Sequence, residues 1–337
     1  MTRIASLSRT LTLWLAGTGL AASAWADISL LNVSYDVTRE FYKDYNAAFV
    51  AHWQKQGGEP ITIKQSHGGS SKQARSVLDG LAADVITMNQ ASDIDILATQ
   101  GKLIPSDWAK RLPNDSAPTS SVTVILVRKG NPKGIKDWAD LAKPGVSVVI
   151  PNPKTSGNGR YSYLAAWGSV IKAGGTPEQA RKQVQAIFAN VPVFDGGGRG
   201  ATTTFAQRNI GDALATFESE VPLIQGEFNG DFEVVYPKGT VLAENPVAVI
   251  DRNVDKAGSR KAAEAYLKYL WSDEGQTIAA KHHLRPRSEK VLSQFKASFP
   301  KVNAFTVAEV FGGWGRANTE HFNDGGLYDQ IVTPGRK

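Results

Sequence analysis

The ten residues Pro-Asn-Pro-Lys-Thr-Ser-Gly-Asn-Gly-Arg at 151–160 constrain this chain more than any other stretch. An apolar, β-branched run at 146–150 precedes them, and residues 161–172 follow with Leu164, Trp167 and Ile171 at helical spacing. The order is therefore strand, tight loop, helix start. Ser156, Gly157, Asn158 and Gly159 let the backbone turn sharply and point its N–H groups outward. The first turn of a helix has unpaired N–H groups and a partial positive charge. Such a stretch is an anion site that needs neither a metal nor a cationic side chain. Taken alone, it is equally well a plain helix cap.

The construction recurs. Gly-Gly-Gly-Arg-Gly at 196–200 follows the strand-like run 191–194 and precedes residues 201–207. Ser-His-Gly-Gly-Ser at 66–70 follows the strand-like run 61–65 and precedes a helical pattern at 71–81. Ser34, Tyr35 and Asp36 follow the run 28–33 and precede a helical pattern at 37–54. Four such junctions point to one ligand approached by several helix starts.

Four segments resemble the signatures of the periplasmic sulfate-binding proteins of ABC transporters. They are Ser-Tyr-Asp-Val-Thr-Arg-Glu at 34–40, Gln-Ser-His-Gly-Gly-Ser at 65–70, Pro-Asn-Pro-Lys-Thr-Ser-Gly at 151–157 and Val-Phe-Gly-Gly-Trp at 310–314. The resemblance runs from about Asp27 to about Ile331. It implies an α/β fold of the two-lobe type II binding-protein (Venus-flytrap) class, each lobe a mostly parallel sheet flanked by helices. It also implies a dehydrated sulfate dianion held by neutral donors. The backbone N–H of Asp36 and the hydroxyl of Ser70 would come from one lobe. Ser156 and the N–H groups of Gly157, Asn158 and Gly198 would come from the other. Arg160 and Arg199 would brace the loops. The implied partner is a membrane ABC importer, met by a monomer that carries no cofactor.

Three positions depart from the family pattern. Asn158 and Gly198 stand for its usual glycine and alanine, and a backbone donor survives either change. Phe217 stands where the family has a tryptophan whose indole N–H donates to the anion, and phenylalanine has no donor. A hydrogen bond to a charged group is worth about 1.5–3 kcal/mol. Either the site is weaker for sulfate, or another donor (Thr216, Asn158 or a water) fills in, or the cargo is a relative such as thiosulfate. A donor deficit predicts that Phe217→Trp tightens sulfate binding.

The alternation of short strands and helices by itself argues an α/β fold. Strands are expected at 28–33, 61–65, 83–88, 122–128, 146–150, 191–194, 212–217 and 232–236. The polar stretch 112–121 around Pro118 reads as a first crossing between lobes and 242–250 as the return. The expected organisation is a leader at 1–26, a first lobe at 27–118, a second at 119–245, and 246–337 returning to the first lobe and ending in helices. Two lobes joined by two crossings form a hinge with the ligand in the cleft, at the carboxyl ends of the strands. Ala263, Tyr266, Leu267, Leu270 and Trp271 form a helical stripe that reads as core.

Residues 1–26 read as a secretory signal. Arg3 and Arg9 precede a short apolar core at 11–20, and Ala24-Trp-Ala26 matches a cleavage site, which implies a periplasmic location. Without the leader the formal charge falls from +6 to 6 − 2 = +4. No Lys/Arg block is present, so nucleic-acid binding has little support. The chain contains no cysteine, which excludes thiol catalysis and thiolate metal sites. Its five histidines show no metal-ligand spacing, and neither a metal nor a cofactor is expected.

A cleft lined only by donors suits an anion that carries no proton. Hydrogen phosphate carries one and needs an acceptor, and Asp36 is the nearby carboxylate. Phosphate and molybdate are the alternative cargoes on the same fold. An anion-ester hydrolase built on His67 and Ser70 is a weaker alternative, because no acid is placed to orient the histidine.

Overall fold

The structure, a computed structural model, describes residues 27–228 and 232–332. The expected leader lies outside the described residues. Eleven strands are present among them: β1 (Ile28–Tyr35), β2 (Ile61–Gly68), β3 (Val85–Thr87), β4 (Thr119–Arg128), β5 (Val148–Val149), β6 (Ala213–Phe217), β7 (Phe232–Val235), β8 (Thr240–Asn245), β9 (Val247–Val249), β10 (Arg285–Pro286) and β11 (Ala304–Phe305). They form a four-stranded sheet in the order β2-β1-β3-β9 and a seven-stranded sheet built around β4.

The smaller sheet is parallel from β2 to β3, and β9 joins it antiparallel. The larger sheet is mixed rather than mostly parallel. Its long strand β4 is antiparallel to β6, β7, β8 and β10, while β5 with β6 and β8 with β11 are parallel. The crossings account for this. β4 enters the larger sheet at Thr119 and β8 leaves it at Asn245, and these two residues pair with each other. An entering strand beside a leaving strand is antiparallel by construction and needs no crossover helix.

One expected strand is absent. Residues 191–194 have no ladder, and Val193 and Phe194 are each 39% exposed. Pro192 has no N–H to donate and interrupts the run. The segment passes over the surface instead, where Asn190 O accepts from Val148 N at 3.0 Å.

Separate cores hold the two sheets. Phe41, Tyr42, Tyr45, Phe49 and Trp53 recur at spacings of one, three and four along the helix Arg39–Lys55. They pack on Ala262, Ala263, Tyr266 and Leu267 of the helix Arg260–Tyr269. Four members of the expected stripe (Ala263, Tyr266, Leu267, Leu270) are thus core, with Trp271 partly buried beside them. The core under the larger sheet gathers Trp138, Leu141, Leu164 and Trp167 with Phe305, Phe311, Phe322, Tyr328 and Ile331. The chain therefore visits the smaller sheet once more after β8, then ends against the larger one.

His321 is 3% exposed in that second core, with Nδ1 at 2.9 Å from the Tyr163 hydroxyl. Burial pushes its imidazole down to about 4. The folded state thus favours the neutral ring, while the unfolded chain takes up a proton below about 6.5. This part of the stability is present at neutral pH and is lost as pH falls from about 6.5 toward 4. Between pH 7 and 4.5 the parent is expected to lose about 2–3 kcal/mol relative to His321→Asn. Paired thermal melts across that range check it.

Candidate functional site

The carboxyl ends of the strands in both sheets carry the junctions. In the smaller sheet, β1 ends into Asp36, and β2 ends at Gly68 beside the helix Ser70–Leu78. In the larger sheet, β5 leads through residues 151–156 into the helix Gly157–Lys172, and β6 ends at Phe217. The short helix Gly198–Thr202 starts after the glycine turn.

These ends meet across the cleft. Ser70, 1% exposed, accepts a hydrogen bond at its Oγ from Gly157 N at 2.9 Å. Ser156 caps the Gly157 helix in extended conformation, with Oγ accepting from Gly159 N at 3.4 Å. A Cβ at Gly157 would run into the Asn89 side chain and lie 2.7 Å from Ser70 Oγ, so only glycine allows this approach. The Asp36 carboxylate accepts from Arg199 N at 3.2 Å, in the first turn of the short helix Gly198–Thr202 of the opposite lobe. Burial pushes the Asp36 carboxyl above its ordinary range, and hydrogen bonds from the Arg199 and Asp36 N–H groups pull against it. The structure thus brings Asp36, Ser70, Ser156, Gly157, Asn158 and Gly198 to one place.

Phe217 forms a wall beside them. It is 2% exposed, pairs with Thr123 across the sheet, and meets Tyr35 at 6.5 Å and Tyr161 at 5.8 Å edge-on. Its neighbour Thr216 accepts from Asn158 Nδ2 at 3.3 Å.

Both arginines are engaged with protein. Arg160 Nε donates to Pro153 O at 2.9 Å, and its Nη1 donates to Asn318 at 3.3 Å. The Arg199 guanidinium pairs with Glu40 of the opposite lobe and lies 3.9 Å from Glu227. Lys154 is tied to Phe322 O and Asp329, each at 2.8 Å. The donors left at the junctions are mostly backbone N–H groups and hydroxyls.

His67 and Ser70 share no hydrogen bond among the described residues, and His67 Nδ1 is buried without a partner. Burial, with Arg39 nearby, pushes its imidazole down to about 4. Among the described residues no cluster of three His, Asp or Glu is placed to hold a metal.

Sequence reading missed one junction. Asn89 and Gln90 follow β3 and lead into the helix Ala91–Thr99. Asn89 Oδ1 is buried without a partner and faces Gly157. Asp93 accepts from Ser71 Oγ at 2.9 Å, and burial raises its carboxyl while the Arg160 charge opposes the rise. The only signal was a polar run after a strand, without the glycines that marked three of the other loops.

Two sheets with separate cores, two crossings and facing helix starts define a two-lobe binding protein. The chain belongs to the bacterial extracellular solute-binding protein family, whose model matches residues 30–285. It is 62% identical over 320 residues to a thiosulfate-binding protein of Pseudomonas aeruginosa, covering 95% of this chain and 96% of that one. It is 52% identical to a sulfate-binding protein of Escherichia coli, with coverage of 95% and 97%. The fold is similar to that of the sulfate-binding protein SubI of Mycobacterium tuberculosis, with a TM-score of 0.79, 30% identity, and coverage of 88% and 100%.

Proposed function

We propose that this chain captures sulfate or thiosulfate between its lobes and delivers the anion to a membrane ABC importer. The carrying observation is the meeting of Ser70 Oγ with Gly157 N across the cleft, at the start of a 16-residue helix. The ligand would receive hydrogen bonds from the N–H groups of Asp36, Asn158 and Gly198 and from the hydroxyls of Ser70 and Ser156, with the Gly157 N–H shared between Ser70 Oγ and the anion. The N-terminal half-charge of the helix favours an anion there. Closure excludes water and strengthens each of these interactions. Arg160 and Arg199 hold the loops and leave the anion's charge to local dipoles.

One lobe comprises residues 27–118 and the return from 246 through the helix Arg260–Tyr269, and the other comprises residues 119–245 together with the terminal helices that pack under the larger sheet. The protein works as a monomer in the periplasm after cleavage behind Ala26, and the importer's permease subunits receive the loaded form. It carries out no covalent chemistry, since His67 shares no hydrogen bond with Ser70 among the described residues.

Arg199 N holds Asp36 Oδ2 toward the Gly198 helix, and in this reading the N–H of Asp36 rather than its carboxylate faces the anion, which leaves the proton of hydrogen phosphate without an acceptor. A buried donor left without an acceptor costs about 1–3 kcal/mol. Calorimetry on residues 27–337, freed of bound anion by unfolding and refolding, tests the reading. One-to-one binding of sulfate or thiosulfate is expected, with phosphate weaker by at least about tenfold. Tight phosphate or molybdate binding with sulfate inert would overturn it.

A further inference from the structure

We infer that the side-chain amide of Asn158 is itself an anion donor and supplies the hydrogen bond that Phe217 cannot. The inference rests on the oxyanion reading above. Asn158 is 3% exposed and is the second residue of the Gly157 helix. Ser162, fully buried one turn on, has its single hydroxyl hydrogen shared between the Asn158 carbonyl at 2.9 Å and Asn158 Oδ1 at 3.3 Å. The ring of contacts therefore holds the amide with oxygen toward the helix and nitrogen toward the strand end.

That nitrogen carries two hydrogens. One goes to Thr216 Oγ1 at 3.3 Å, and the other has no partner among the described residues. A buried N–H without an acceptor is costly unless a ligand supplies one. Its surroundings say where such a ligand would lie. A Cβ built on Gly198 would be 3.2 Å from Asn158 Nδ2, 3.0 Å from Val37 Cγ1 and 3.8 Å from Asp36 Oδ1. The amide thus reaches the point where the Asp36 turn, the Gly198 helix start and the end of β6 converge. Gly198 is what makes room for it, since a methyl group there would press on the nitrogen.

Beside this amide stands Phe217, whose ring meets Tyr35 and Tyr161 edge-to-face and has no N–H to offer. Among the side chains of that wall, Asn158 has the one uncommitted N–H. One face of the bound anion then meets an amide and an aromatic ring. That suits either a sulfate oxygen turned to the amide or a thiosulfate whose terminal sulfur rests on the ring.

The test is calorimetric titration of sulfate and thiosulfate into the parent, Asn158→Ala, Asn158→Asp, and each alanine or parent background with Phe217→Trp. Asn158→Ala is expected to weaken sulfate binding by about 10- to 150-fold. Asn158→Asp keeps the shape but sets a carboxylate against the anion, and should weaken it further. Phe217→Trp should restore binding at least about fivefold more in the Asn158→Ala background than in the parent, because only there is a donor missing. A purely structural asparagine would show no such coupling. Parent-like sulfate affinity, within about threefold, in both Asn158 variants would overturn this inference and leave the oxyanion reading standing. A parent that binds no oxyanion would overturn both.

Discussion

Gly69→Ala is expected to weaken anion binding by about 100-fold or more while leaving the melting temperature of the unliganded protein within about 2 °C of the parent. Gly69 sits at φ −55°, ψ 132°, a conformation open to any residue, so alanine brings no backbone strain. The obstacle is across the cleft. A Cβ there would lie 2.6 Å from Gly196 O and 2.6 Å from Thr155 O, both backbone atoms of the opposite lobe. Neither oxygen swings away as a side chain does, so the lobes must part. Ser70, the next residue, is then drawn off Gly157 N, and the donors no longer converge. Losing two hydrogen bonds to a charged ligand costs about 3–6 kcal/mol. Gly196→Ala is the matched control, because a Cβ at 196 meets nothing within 4 Å and its φ is not positive. Calorimetry on the two variants separates blocked closure from a general intolerance of the loops. Equal affinities for both would sink the closure argument.

Arg285→Met is expected to destabilise the fold by about 3–5 kcal/mol, a fall in melting temperature of about 5–8 °C for a chain of this size. Arg285 Nε and Nη2 meet the two Glu218 oxygens at 2.6 and 2.8 Å. The Glu218 side chain is 4% exposed and also accepts from the Tyr236 hydroxyl at 3.1 Å. Arg285 further donates to Pro300 O at 2.9 Å. Removing the guanidinium leaves a nearly dry carboxylate without its counter-charge, which is the costly way to break a buried pair. Replacing both residues removes the orphan charge, so Arg285→Met with Glu218→Leu should recover much of the loss. Glu218 follows Phe217 directly, so the single variant should also loosen the wall of the site. Thermal melts of Arg285→Met, Glu218→Leu and the double variant decide it, and an additive double variant would contradict the pairing argument.

The junctions were legible in the sequence because their signals are local. Glycine and serine turns after β-branched runs, and the helical recurrence of Leu164, Trp167 and Ile171, act within a few residues. The expected strand at 191–194 failed for an equally local reason, Pro192, which the β-branched neighbours obscured. Asn89 and Asp93 went unread because no glycine turn marks them, as one marks three of the four junctions read, and their meaning comes from Gly157 and Arg160 in the other lobe. The mixed larger sheet was not legible either. Strand direction follows from β4 and β8 lying side by side at the crossings, a pairing of Thr119 with Asn245 that no periodicity encodes.

By itself, then, the sequence determined an α/β chain with helix starts at the ends of strands, and a Phe217 that cannot donate. Tertiary structure decided which of those starts share a site. Ser70 reaches Gly157 over 87 residues, Asp36 reaches Arg199 over 163, and Asn158 turns its amide to Thr216 over 58. The physical reason is range. Turn chemistry and helical periodicity are settled by neighbours along the chain, whereas a donor's direction is settled by which lobe closes over it.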